Sequence, residues 1–140
     1  MYIDKYIESN HVKYAENTIQ DEDISTIESI LQMKIGPQLK HYLVHYGCLK
    51  FRYFSTNKLN PNNIEQSNLI SETIKFHKKY TNTKGYIVLR QQNSMTYTLI
   101  DSNDNICYFD IIKDTFIYTD IKLYKYIIDC IDDVKVHLYG

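Results

Sequence analysis

Residues 85–119 read GYIVLRQQNSMTYTLIDSNDNICYFDIIKDTFIYT. Three runs within this stretch, GYIVLRQ, SMTYTLID and NICYFDI, are short and rich in β-branched and aromatic residues, as strands require. A fourth, DTFIYT (114–119), extends the series. Ser102-Asn103-Asp104-Asn105 separates the second run from the third, and Asn and Asp tolerate the positive φ of a hairpin turn. The stretch therefore predicts an antiparallel meander. Downstream, DIKLYKYIIDCIDDVKVHL (120–138) puts Leu123, Ile127 and Ile131 on one stripe with Ile128 beside it, which predicts a closing helix. Upstream, SNLISETIKFHKKY (67–80) spaces Leu69, Thr73, Phe76 and Tyr80 as a helix does.

Farther upstream, STNKLNPNNIEQ (55–66) is rich in Asn and holds Pro61, so it predicts a loop. LKFRYF (49–54) alternates like one strand. GPQLKHYLVHYG (36–47) starts with Pro37, which suits a first helical position, and stops with Gly47. Its Leu39, Tyr42, Leu43 and Tyr46 share an apolar face. His41 and His45 point away from that face and are expected in water. QDEDISTIESILQM (20–33) is a further helix with Ile24, Ile27 and Leu31 buried. Its start is open: Asp21 or a neighbour caps it, or Ser25 and Glu28 form a capping box. Ile3, Tyr6 and Ile7 mark a short first helix. Helices, then a meander, then a helix make an α+β fold, and 140 residues fit a single domain spanning 1–140.

The two histidines four apart raise the question of zinc. A zinc-protease helix needs a Glu directly after the first His, but that position is Tyr42, on the core side. His11, His77 and His137 offer no supporting spacing for a third ligand. No Gly-x-Ser-x-Gly elbow and no glycine-rich phosphate loop is present among the four glycines. Cys48, Cys107 and Cys130 lie far apart, with no CxxC spacing, and suit a reducing compartment. Cys48 follows a helix end, and Cys107 and Cys130 are expected as small packing residues. The N-terminal MYIDKYIESN has no signal-peptide pattern, and no apolar run reaches the ~20 residues of a membrane span, so a cytoplasmic location is expected. A binding module without catalytic residues, metal or cofactor is what these readings leave.

Net charge is −1 but unevenly spread: −5 over residues 1–33, +8 over 34–90 and −4 over 91–140. The basic residues form no compact stripe, so nucleic acid is not expected as a partner. Fourteen tyrosines supply side chains that join apolar area to a polar tip.

The order of residues also carries a likeness. ISTIESILQMKIGPQLKHYLVHYGCLKF (24–51) resembles the SUKH superfamily, which includes fungal Smi/Knr-type cell-wall-assembly regulators and many bacterial immunity proteins. The matching positions are Ile24, Ile27, Glu28 and Leu31, then Gly36 and Pro37, then Leu39, Lys40, Tyr42, Leu43, Tyr46 and Gly47. In the meander, Gly85, Tyr86, Tyr97, Leu99, Asp101, Asp104, Tyr108 and Asp110 look like the bacterial members. Two loop features depart: Gln92-Asn93-Ser94 replaces a Gly-Asp type of turn, and an aromatic-Gly pair is missing between Phe54 and Leu59. The resemblance implies a meander packed with N-terminal helices and a C-terminal helix. It also implies neutralisation of a cognate protein toxin, of nuclease or deaminase type, by stoichiometric binding. The alternative it implies is a scaffold or regulatory adaptor. For a basic toxin, the acidic ends, Asp21 to Glu28 (with Asp21, Glu22 and Asp23 as the candidate contacts) and Asp129 to Asp133, would offer a complementary surface, unless they are only solvated helix faces and dipole partners; the basic middle leaves an acidic partner open. Arg52, Arg90, Tyr97 and Tyr108 are the other candidate contacts, since Tyr and Arg are favoured at interface hot spots.

Overall fold

The computed structural model describes the backbone of residues 2–14 and 19–139, and the side chains of 3–14 and 19–136. The side chain of His137 lies outside the described residues. The elements run α1 (Tyr2–Ser9), β1 (Lys13–Tyr14), α2 (Asp21–Leu31), α3 (Pro37–His45), β2 (Leu49–Phe51), β3 (Phe54–Ser55), α4 (Asn68–Lys79), β4 (Ile87–Gln91), β5 (Thr96–Ile100), β6 (Asn105–Asp110), β7 (Thr115–Lys122) and α5 (Leu123–Tyr139). The architecture is α+β, with two antiparallel sheets ordered β1-β2-β3 and β4-β5-β6-β7. Among the described residues, no helix is long and apolar enough to cross a membrane.

The meander alternates faces with a period of two, as a pleated strand must. Ile87, Leu89, Ile100 and Ile106 face the main core, where they meet α1, α2, α3 and α5 through Ile3, Ile27, Leu39, Leu43 and Ile127. Val88, Leu99, Cys107 and Phe109 face the other way and pack with Phe76 of α4. Each fully buried Leu, Ile or Phe stabilises the fold by roughly 1.5–3 kcal/mol relative to an exposed one.

Local chemistry explains the helix ends. The Asp23 carboxylate accepts from the Gln20 N–H at 2.8 Å, so α2 starts at Asp21 with Gln20 before it. The alternative Ser25–Glu28 box is not used. Instead Glu28 reaches past the helix end and accepts from the Ile35 N–H at 2.9 Å, fixing the turn into α3. The α3 start is capped from far away. Asp104, in the β5–β6 turn at φ +66°, is 1 % exposed and accepts from the N–H groups of Gln38 (2.9 Å) and Leu39 (3.0 Å). Only glycine fits at position 36, since a Cβ there would lie 2.4 Å from an Asp104 carboxylate oxygen. Gln38 in turn accepts from the Tyr124 N–H at 2.9 Å, in the first turn of α5.

Three expectations need correction. LKFRYF is not one strand: it folds back at Arg52 and Tyr53, pairing Phe51 with Phe54. Arg52 makes that turn in the left-handed region at φ +58°. The segment 55–66 is not wholly loop, because Ser55 ends β3 and Ile64–Gln66 form a 3-10 turn. The last helix starts at Leu123 because β7 pairs with β6 as far as Lys122. The short β1, which pairs Lys13 with Lys50, went unanticipated because two residues carry no periodicity.

Candidate functional site

Of the two histidines four apart, the structure changes the expected setting of one. His41 is not in water: its side chain is 17 % exposed, and its Nε2 lies 2.9 Å from the Asp4 carboxylate of α1. Asp4 of α1 reaches the polar side of α3 only at His41, while His45 is exposed, as the sequence predicts. The His41 and His45 rings are 4.2 Å apart, and Tyr124 of α5 meets His41 edge-on at 6.0 Å. Asp4 also accepts from the Tyr46 hydroxyl. Burial pushes the Asp4 carboxyl up, but the hydrogen bonds from Tyr46 and His41 and the His41 charge outweigh it and hold the group below its usual range. Burial and the same Asp4 contact push the Tyr46 phenol up. Asp4 therefore cross-links α1 to α3. Among the described residues, no three His, Cys, Asp or Glu side chains are arranged to hold a metal ion.

Two of the thiols, Cys107 and Cys130, are held in the protonated form by their surroundings. Burial raises Cys107 to about 12, with Asp101 adding to the shift. Cys130 is also raised by burial, more than the Tyr126 hydrogen bond and the Arg90 charge lower it.

The arrangement that stands out is the β2–β3 hairpin. Its turn holds Arg52 and Tyr53 at the surface, and Tyr53 is 61 % exposed. A cleft opens on either side. The first, about 600 Å³, is lined by Ser9, Asn10, His11, Lys13, Lys50, Phe51, Arg52 and Lys135. The second, about 520 Å³, runs between the sheet and α5, with Tyr53, Arg90, Tyr108, Tyr126, Asp129 and Asp133 in its walls. Arg90 is held there in an apolar setting. Its guanidinium stacks 4.7 Å from the Phe54 ring centre and donates to the Tyr126 hydroxyl at 3.3 Å. Its Nε is buried with no hydrogen-bond acceptor among the described residues. Burial pushes the Tyr126 phenol up, against the smaller opposing effects of Arg90 and Thr98.

The structure thus puts Arg90 and Tyr108 together in the second cleft and Arg52 in the first, on the other side of the hairpin turn. It places Tyr97 on the opposite face of the sheet, where its ring lies 4.8 Å from Phe76. That face is an aromatic cluster that continues through Phe109 and Phe116 to Tyr118, which is 70 % exposed. Asp21, Glu22 and Asp23 lie apart, at the start of α2. Asp23 caps that helix and Asp21 pairs with Lys40 at 3.4 Å. Tyr53, the most prominent side chain of the hairpin face, was missed by sequence reasoning. The signal was available: it sits beside Arg52, but reading LKFRYF as one strand hid the turn.

The model of the SUKH_5 family, described as SMI1-KNR4 cell-wall, matches residues 1–132. No curated protein matches the chain.

Proposed function

Because the chain belongs to the SUKH_5 family, we propose that it is a non-enzymatic binding protein that neutralises a cognate protein toxin by forming a one-to-one complex. The toxin is of nuclease or deaminase type, and the hairpin face is the contact surface. The observation that carries this reading is the exposed Tyr53 on a tight turn between two clefts, with Arg52, Arg90 and Tyr108 around it. A rigid aromatic flanked by arginines is the composition of an interface hot spot. Cysteines with raised pKa values and a histidine tied to Asp4 favour binding over nucleophilic catalysis.

The test is co-expression with the product of the neighbouring reading frame. Rescued growth and a co-purifying one-to-one complex are expected. Absence of rescue would contradict the reading. The family's cell-wall description favours a second reading, a regulatory adaptor. It predicts a stable cellular partner in cells that carry no toxin gene.

A further inference from the structure

The described lining of the first cleft carries charge of one sign only. Lys13 and Lys50 are direct cross-strand partners, so their side chains leave the same face of the small sheet side by side. Like charges directly opposite each other destabilise an antiparallel pair. Arg52 and Lys135 stand in the same lining, with His11 at the mouth, and no Asp or Glu is among the described lining residues. Lys135 donates to the Asn10 side-chain oxygen at 2.9 Å and pairs with Asp132 at 3.9 Å, whereas neither Lys13 nor Lys50 meets a carboxylate among the described residues. A lysine on the outer strand β1 would serve to discourage edge pairing. That does not account for Lys50, which lies on the central strand β2. A repulsive pair kept inside a concave surface is what a site for an anion looks like before the anion arrives.

We propose that this cationic cleft takes an acidic segment of the protein partner, several Asp or Glu side chains in succession, beside the Tyr53 contact. The inference rests on the protein-binding reading above and assigns the charge of the partner at that surface. Of the two charge alternatives that the sequence leaves open, it takes the acidic partner rather than a basic one held by Asp21, Glu22 and Asp23. A polypeptide fits better than a nucleic acid, because a polyanionic backbone leaving the cleft across the hairpin meets Asp129 and Asp133 of the second cleft. A protein partner changes its charge along the chain and avoids that clash.

The test is an amide chemical-shift titration of the full chain with an octa-glutamate peptide, run beside an octa-lysine peptide and a single-stranded RNA of mixed sequence. The octa-glutamate peptide is expected to shift the amides of His11, Lys13, Lys50 and Arg52, and to lose this effect as salt rises. K13Q/K50Q should weaken that binding about tenfold, and K13R/K50R should retain it. In the absence of peptide, K13Q/K50Q should melt higher than the wild type, since the like-charge pair is gone. The proposal is overturned if octa-glutamate leaves these amides unmoved, if K13Q/K50Q binds it as well as the wild type, or if RNA shifts the same amides at lower concentration. Peptide binding without growth rescue would contradict toxin neutralisation alone, and rescue without peptide binding would contradict the acidic segment alone.

Discussion

At the scale of single residues, the carboxylate of Asp104 accepts from two N–H groups of α3, and Gln38 in that same turn accepts from Tyr124 of α5. Two side chains, Asp104 in the hairpin turn and Gln38 on α3, therefore tie the starts of α3 and α5 together. D104A should lower unfolding free energy by about 1–3 kcal/mol, measured by urea denaturation, because it strips the α3 donors of their buried acceptor. G36A should cost about as much through overpacking. In a D104A background G36A should cost markedly less, because the clashing oxygens are gone. Asp4 gives a pH signature. Its folded pKa is depressed, so its contribution is present above the unfolded value near 3.8 and is lost as pH falls through the lower folded value. D4N should flatten the fall in stability below about pH 4. Because the Asp4 side chain is 40 % exposed and so partly screened by solvent, the loss at neutral pH should stay under about 1 kcal/mol. The turn chemistry of Ser102 to Asn105 was legible because it is local. The cap was not, because Asp104 and Leu39 are 65 residues apart.

At the scale of elements, the periodic helices and the four strands of the meander were readable because each has several residues repeating on one face. The hairpin β2–β3 was not, since strands of three and two residues offer no period to count. A left-handed arginine at its turn gives less warning than a glycine would. The same miss concealed Tyr53. Y53A removes an exposed ring, so it should change stability by no more than about 0.5 kcal/mol. It should weaken the partner complex about 30-fold or more, read by calorimetry. Equal affinity would remove the hairpin from the interface. On the other face of the sheet, Phe109 is fully buried between Phe76, Tyr80 and Phe116. F109A should cost about 3–5 kcal/mol by urea denaturation, a structural effect that separates this face from the proposed binding face.

At the scale of the whole molecule, the main core and the aromatic cluster share the meander between them, so the two faces of the sheet should unfold together. Cys107 reports on that event. Buried in the sheet, with its pKa pushed up to about 12, it should resist iodoacetamide at pH 7 in the native state and become labelled only with global unfolding. Mass spectrometry of the labelled peptide checks this, and rapid native labelling would show that the meander opens locally. The charge map also belongs to this scale. The sequence showed a basic middle segment, but only the fold gathers Lys13 of the acidic first segment with Lys50, Arg52 and Lys135 around one cleft. Segment sums could not show this, since the four residues come from three regions of the chain. The claim that joins these scales is that the hairpin face holds the partner. Hydrogen–deuterium exchange of the chain alone and in its partner complex tests it most directly. New protection concentrated at residues 50–54 and along the exposed turns of α5 near 129–135 is the predicted result. Protection confined to the aromatic face at 116–118, or to the start of α2 at 21–23, would contradict it.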